Sequence, residues 1–189
     1  MAGRDRRDIQ TRRDFDLPHQ TQSQADAPDL WLVFAHIKKT PSDYLTQKAT
    51  ELGVALLQPV MTRRTIVARV NAERMAANAI EAAEQSGRLS VPEIRETVSL
   101  EKLLAAWPKG RRLYFCDEGG EAEPLAKAAR GAPAAILTGP EGGFDPAERA
   151  MLRGFDFVTP VTLGPRILRA DTAALAALAI WQSVKGDWA

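Results

Sequence analysis

Hydrophobic and polar positions along the chain form blocks that predict strands separated by helices. Continuous apolar runs, typical of strands buried on both faces, recur along the sequence and are separated by polar or amphipathic stretches. The predicted strands cover residues 30–35, 55–61, 112–116, 134–138 and 157–163, with a short extended piece near 91–94.

Capping residues and stop signals mark the helices between these strands. Thr40 followed by proline predicts one helix start, and the segment from Asp145 to Glu148 matches a capping box with proline at the first helical position. The predicted helices run from about 41 to 52, from Asn71 to Gly87, from Ser99 to before Pro108, from Asp145 onward and over 173–180, and 118–131 is predicted as loop with one or two helical turns.

Strands that alternate with helices at this spacing predict an α/β fold, with a mainly parallel sheet and helices on both faces. The last helix is apolar nearly all round, so we expect it to be buried on more than one side. Residues 1–28 are polar and show no helical or strand period, which predicts a disordered tail or the remnant of a larger unit. The ordered domain is expected at 29–189.

Composition narrows the function only slightly. The 25 Lys and Arg residues nearly balance the 24 Asp and Glu residues, and a net charge of +1 neither requires nor excludes a nucleic-acid partner. One cysteine, Cys116, cannot form an internal disulfide and suits a reducing cytoplasm, and two histidines without a cysteine cluster predict that there is no metal site. The longest apolar run is too short to span a bilayer, and no hydrophobic signal region is visible at the N-terminus.

Two glycine-bearing loops in the last third follow predicted strands and lead into helices. The first runs from Gly139 to Phe144, and the second from Gly164 to Ala170. In an open α/β sheet, ligands bind beyond the carboxyl ends of the strands, where such loops meet. We therefore predict the binding site here, although the first loop on its own is equally consistent with a simple strand-to-helix turn.

The second loop adds charge to this site. Arg166 and Arg169 flank an apolar pair immediately before Asp171, and two arginines at the sheet edge suit a phosphate or an anionic transition state. Alternatively, they pair with Glu141 and Asp171 and only hold the two loops together.

These loops resemble the paired signature of a known family. The segments LTGPEGG from Leu137 and LGPRILRADTA from Leu163 are similar to those of the ribosomal RNA small subunit methyltransferase E family, SPOUT-superfamily enzymes that methylate N3 of a uridine in 16S ribosomal RNA. QKATELGV from Gln47 and EAAEQSGR from Glu81 agree as well. The resemblance covers about residues 29–187.

The resemblance implies a deep trefoil knot at the C-terminal end, an exception to the usual unknotted topology. It also implies a homodimer, 16S ribosomal RNA in the small subunit as substrate, and S-adenosylmethionine bound in the knot between the two loops. The cofactor-binding residues are then expected to be Leu137, Thr138, Gly139, Glu141, Gly142, Gly143, Leu163, Gly164, Ile167 and Leu168.

A catalytic hypothesis follows from the same resemblance. Arg166 or Arg169 stabilises charge on the uracil oxygens, and Asp171 or Glu141 accepts the N3 proton. A helix cap is the alternative role for Asp171, and a loop anchor is the alternative for Glu141.

Four further residues are expected to contact RNA. Gln85 and Arg88 lie in the third matching motif, and Arg63 and Arg64 follow a predicted strand. A solvated helix end and a charged loop without a ligand are the alternatives for these two pairs.

The sequence departs from the family pattern in places. Ser86 stands where many members have cysteine, and Asp171 where many have glutamate. The family also carries an N-terminal PUA-like β-barrel, for which residues 1–28 are too short. Three functions therefore stay open: an RNA methyltransferase, a catalytically weak knotted domain that binds cofactor or dimerises, and a nucleotide-binding α/β hydrolase.

Overall fold

One sheet of parallel strands, with helices on both faces, organises the chain. The computed structural model describes residues 27–66, 71–119 and 121–189. The strands are β1 (Leu30–Ala35), β2 (Leu56–Met61), β3 (Glu93–Ile94), β4 (Val98–Ser99), β5 (Arg112–Cys116), β6 (Glu123–Pro124), β7 (Ala134–Thr138) and β8 (Val158–Thr162). The helices are α1 (Lys39–Glu51), α2 (Ala72–Gln85), α3 (Leu100–Ala105), α4 (Leu125–Ala128), α5 (Pro146–Arg153) and α6 (Ala170–Lys185).

The order of the strands brings the two glycine-bearing loops to one edge. The sheet runs β3-β2-β1-β7-β5-β8-β6, with β4 also paired to β2, and each pairing is parallel. The late strand β7 therefore lies between β1 and β5, and Ala134 is in register with both Leu30 and Arg112. As a result the carboxyl ends of β1, β5, β7 and β8 meet, as at the ligand-binding edge of other open α/β sheets. The predicted α/β class with a parallel sheet is confirmed.

Apolar side chains form a core on each face of the sheet. One core contains Phe34 and Trp181 and includes residues from α1, α2, α4 and α6. The other contains Phe115 and Leu152 and includes residues from α3 and α5. Strands β1 and β7 are buried at every position, which explains the apolar sequences that predicted them.

Helix α6 packs against elements from distant parts of the chain. It contacts α1, α4, β1 and β7, which confirms the expectation that it is covered on more than one side. Gln182 is buried, and its Nε2 donates to the carbonyl oxygen of Leu52 at 2.6 Å, which joins α6 to the end of α1. The chain thus returns after β8 to lie beside the first strand, and the knot that the resemblance implies stays a prediction.

Several predicted caps are confirmed, whereas one is displaced. Asn71, Ser99 and Asp145 each cap a helix with the side chain, and Asp145 does so in a full capping box. Helix α1 instead has Lys38 at its N-cap, without a side-chain cap. Glu141 Oε1 accepts from the Lys38 N–H at 3.4 Å, so a carboxylate from a distant loop serves this helix end where Thr40 was predicted to do so.

The predicted polar tail and two short strands could not be compared with a prediction in the same way. Residues 1–26 of the predicted polar tail lie outside the described residues. The two-residue strands β4 and β6 were not predicted, because pairing of so few residues depends on the neighbouring strand rather than on a local pattern. None of the helices in the described ranges is long and apolar enough to cross a membrane.

Candidate active site

A cavity of about 490 Å³ lies at the carboxyl ends of β1, β5, β7 and β8. Its walls come from the segment after β1, the segment after β5, the first glycine loop (residues 139–144) and the second glycine loop (residues 164–170), together with the end of β8 and the start of α6. This volume is within the range of about 300–1,000 Å³ for small-molecule sites. The predicted convergence of the two loops on one pocket is therefore what the structure shows.

The first glycine loop is both a well-formed turn and a wall of the cavity. Gly143 has a φ of 66°, a left-handed conformation that favours glycine. Gly139 lies against Phe144, so that an added Cβ would be 2.8 Å from the phenyl ring, and Phe144 in turn packs edge-on against Phe115. The two interpretations of this loop are thus compatible, because the turn fixes the wall.

The second glycine loop presents two arginines and an exposed isoleucine. Arg166 and Arg169 are exposed at the cavity, and within the described ranges neither guanidinium group forms a hydrogen bond or an ion pair with another residue. The alternative in which they pair with Glu141 and Asp171 is therefore not observed there. Leu163 and Leu168 are half-buried, whereas Ile167 is 83% exposed. This loop gives the cavity a positively charged border.

Both candidate carboxylates line the cavity and already accept hydrogen bonds from the backbone. Glu141 bonds the Lys38 N–H, as described above, and Asp171 Oδ1 accepts from the N–H of Thr172 at 2.8 Å. Asp171 lies in the first turn of α6, whose N-cap is Arg169, so Asp171 is not the helix cap considered as its alternative role. Each carboxylate keeps oxygen lone pairs for a further donor.

The predicted cofactor-binding residues divide into two groups. Most of them line the cavity directly, whereas Leu137 is fully buried in the core around Phe115, and Gly142 is not in the lining. The members that line it are Thr138, Gly139, Glu141, Gly143, Leu163, Gly164, Ile167 and Leu168.

Arg63 and Arg64 lie beside the first glycine loop. Arg64 Nη1 donates to the carbonyl oxygen of Gly142 at 3.1 Å. Arg63 donates its backbone N–H to the buried Glu148 at 2.8 Å and places Nη1 3.3 Å from Asp145. The structure thus brings these two predicted RNA-binding residues to the edge of the cavity.

Gln85 and Arg88 lie elsewhere, at the junction of α1 and α2. Arg88 donates from Nη1 to Thr50 O at 2.8 Å and from Nη2 to Val54 O at 2.7 Å. Burial lowers the pKa of this guanidinium. The bonds give Arg88 a packing role at the C-terminal end of α1, in contrast to the predicted RNA contact, while Gln85 is exposed nearby.

The buried carboxylate of Asp117 is a site residue that sequence reasoning missed. Oδ1 pairs with Arg149 and Oδ2 with Arg153, each at 2.6 Å, and the side chain is 1% exposed. Asp117 directly follows β5 and lines the cavity. The only signal in the sequence was that Asp117 directly follows a predicted strand. Its ion pairs could not be predicted, because the two arginines are 32 and 36 residues away in sequence. These pairs hold α5 against the loop after β5.

Comparison with known proteins identifies the family. Residues 25–182 match a family model described as an RNA methyltransferase domain. A protein from Rickettsia conorii, named Ribosomal RNA small subunit methyltransferase E, is 30% identical over 167 residues, which cover 86% of this chain and 68% of that protein. The chain belongs to the ribosomal RNA small subunit methyltransferase E family. The resemblance that four separate motifs indicated is thereby confirmed.

Other members of the methyltransferase E family are similar to this chain in sequence and in structure. The Bacillus subtilis member is 34% identical over 150 residues, and the chain spans 58% of its length. A crystal structure of the Neisseria gonorrhoeae member, bound to S-adenosyl methionine, superposes with a TM-score of 0.77 and is 32% identical. The match covers 90% of this chain and 73% of that one. The cofactor predicted from the sequence is the one bound in that structure.

The contact between Gly139 and Phe144 gives a first testable prediction for this family member. In Gly139→Ala the new methyl group must displace the Phe144 ring, which lines the cavity. Such overpacking typically costs about 1–3 kcal/mol, and we expect S-adenosylmethionine affinity to fall about tenfold by calorimetry. Gly131→Ala is the matched control, because nothing lies within 4 Å of the added atom. Equal affinities for the two variants would contradict this role for Gly139.

Cys116 gives a second prediction. Cys116 is in the lining of the cavity, and burial raises the pKa of its thiol to about 12. Because only the thiolate is nucleophilic, iodoacetamide at about pH 8 should label the native protein far more slowly than the protein unfolded in urea. Rapid labelling of the native protein would contradict this.

The same pKa shift makes stability depend on pH. The unfolded chain releases the Cys116 proton above about pH 8.5, whereas the folded protein keeps it until about pH 12. The contribution of the neutral thiol is therefore present below pH 8.5 and is lost as the pH rises toward 12. In urea unfolding, Cys116→Ala should lose less stability than the wild type between about pH 9 and 11.

Proposed function

We propose that this chain transfers a methyl group from S-adenosylmethionine to N3 of a uridine in the ribosomal RNA of the small subunit. One observation carries the proposal: the two loops that bear the family motifs close a cavity of about 490 Å³, bordered by Arg166 and Arg169, which have no ion-pair partner among the described residues. The family match favours this function over the nucleotide-binding hydrolase, and it leaves the catalytically weak domain as the alternative to test.

The cavity fits the cofactor in size and chemistry. Apolar side chains such as Phe144 and Leu168 supply surface for an adenine ring, and the glycines of both loops leave backbone groups accessible for hydrogen bonds. S-adenosylmethionine supplies a methyl group on a positively charged sulfur, already activated for transfer. The work left to the protein is to position the uracil and to remove its N3 proton.

The residues at the cavity suit those two tasks. Loss of the N3 proton places negative charge on the uracil oxygens, and we assign Arg166 and Arg169 to stabilise that charge. Their guanidinium groups are free to bind it, because no carboxylate in the described ranges pairs with them. Asp171 and Glu141 are the candidate proton acceptors. Asp171→Asn with unchanged methylation would exclude Asp171.

The RNA has to present an accessible base. N3 lies on the Watson–Crick edge, so a paired or stacked uridine must be splayed out before it can enter the cavity. Arg63, Arg64 and Gln85 remain the proposed contacts to RNA. A homodimer, a knotted C-terminal end and residues 1–28 as a polar tail or the remnant of a larger unit belong to the same proposal.

The deciding experiment is methyl transfer to small ribosomal subunits from a strain that lacks this modification. Radiolabelled S-adenosylmethionine measures incorporation, and arrest of reverse transcriptase locates the product, because a methyl group at N3 blocks base pairing. We expect one strong arrest at a uridine. Cofactor binding without incorporation would instead support the catalytically weak domain, and incorporation elsewhere on the RNA would refute the N3 assignment.

A further inference from the structure

Two exposed isoleucines stand out, Ile167 in the lining of the cavity and Ile66 on a loop that contacts the first glycine loop through Arg64. Ile66 is 85% exposed and Ile167 is 83% exposed, whereas the other exposed large apolar side chains of the described chain are at most 61% exposed. Single exposed apolar residues are common on protein surfaces. These two differ because each has an arginine pair within three residues and lies on a loop at the same site.

The loop that carries Ile66 is held in place by its own hydrogen bonds. We call residues 62–66 the first rim loop. Thr62 and Thr65 are joined by a hydroxyl contact of 2.8 Å and by a backbone turn of 3.1 Å. Arg64 then attaches this loop to Gly142, between two residues that line the cavity. Ile66 directly follows this hydrogen-bonded turn, and the turn lies beside the first glycine loop.

The loop that carries Ile167 forms the other side of the border. We call residues 164–169 the second rim loop. Ile167 lies between Arg166 and Arg169 and borders the cavity, yet most of its surface faces solvent. An isoleucine that served only as an adenine wall would be expected to turn inward, as the half-buried Leu168 does.

An arginine next to an exposed aliphatic side chain is a suitable combination for binding nucleic acid whose bases are unstacked. Guanidinium groups bind phosphates and fix the register of the strand, and aliphatic side chains inserted between bases hold a step apart. A uridine that enters the cavity leaves a gap in its stack, which the neighbouring bases would otherwise close.

We infer that Ile66 and Ile167 act as wedges that hold apart the bases next to the splayed uridine, while Arg63 and Arg64 of the first rim loop bind the flanking phosphates. This rests on the proposed function and identifies positioning residues for it. The partner is RNA with a locally opened stack, rather than a second copy of the chain or the cofactor.

The test measures unstacking directly. A stem-loop RNA that contains the mapped uridine carries 2-aminopurine as the next base, whose fluorescence rises when its stack opens. At saturating full-length protein with S-adenosylmethionine, the wild type should raise the fluorescence, and Ile66→Ala and Ile167→Ala should each reduce that rise by at least about half. Methylation of small subunits by these variants should fall about tenfold.

Matched controls separate this role from others. Leu89→Ala removes a side chain that is 61% exposed. Leu89 follows Arg88, which bonds the C-terminal end of α1, whereas the start of α1 lies at the cavity. The fluorescence and the methylation measured with this variant should match the wild type. Fluorescence that rises equally in the isoleucine variants would overturn the inference. So would a tenfold loss of S-adenosylmethionine affinity in Ile167→Ala, which would place Ile167 in the cofactor wall, or a loss of dimer on ultracentrifugation, which would place the isoleucines at a subunit interface.

The inference and the proposed function fail in different ways. If the wild type methylates small subunits but leaves the 2-aminopurine stacked, the wedge is refuted and the enzyme remains. If the wild type transfers no methyl group and binds no RNA, the proposed function fails and the wedge fails with it.

Discussion

Arg166→Ala combined with Arg169→Ala is expected to lower the rate of methyl transfer by about 10²–10³-fold or more, since removing a single donor to a developing oxyanion has effects of this size. Both guanidinium groups border the cavity, and neither has an ion-pair partner in the described ranges. Cofactor affinity should stay within about threefold of the wild type, because the proposed role is in the transition state. Single-turnover methylation and calorimetry together measure the two quantities.

The single variants and a control refine this result. Lysine at either position keeps the charge but loses the planar fork, so Arg166→Lys and Arg169→Lys should remain well below the wild type if the contact is bidentate. Arg112→Ala is the matched control, because Arg112 is the first residue of β5, at the end of the strand opposite to the cavity, and donates to Asp156 O. A double variant that retained full activity would remove both arginines from the mechanism.

Trp181→Ala is expected to destabilise the fold by about 3–5 kcal/mol, as large aromatic truncations in well-packed cores do. Trp181 has no exposed surface and lies in the core between α6 and the sheet. Its indole N–H also donates to the carbonyl oxygen of Arg130 at 3.2 Å, so the variant leaves a cavity and an unpaired acceptor.

Trp188 provides the comparison within the same chain. It is 54% exposed near the C-terminus, and Trp188→Ala should change stability by less than about 0.5 kcal/mol. Urea unfolding followed by circular dichroism measures both variants. Similar losses for the two would show that α6 is not packed as described.

Most elements were predictable because their signals are local. Four of the five long strands are mainly apolar, whereas β8 mixes valine with threonine and proline. Three helix starts carry a side-chain cap that accepts from an N–H two or three residues further along the chain. The cap of α1 could not be predicted, because its acceptor, Glu141, is 103 residues away in sequence. The same limit applies to Asp117, whose arginine partners lie on α5.

The site was predictable as a set of loops but not as a set of contacts. The paired glycine loops indicated where a ligand binds, since loops after parallel strands share one edge. Their sequence did not distinguish Thr138, which lines the cavity, from Leu137, which is buried in the core. Likewise, Arg88 was grouped with RNA-binding residues because of its motif, whereas its guanidinium bonds the backbone at the end of α1.

The sequence by itself determined the parallel α/β class, the family and the two loops that form the site, because each depends on periodicity or on motifs within a few residues. Only the tertiary structure decided that β7 inserts between β1 and β5, that Arg166 and Arg169 have no ion-pair partner among the described residues, and that Ile66 and Ile167 are exposed. These properties depend on which distant segments meet. Burial and ion pairing are decided where such segments pack together, and no local pattern records them.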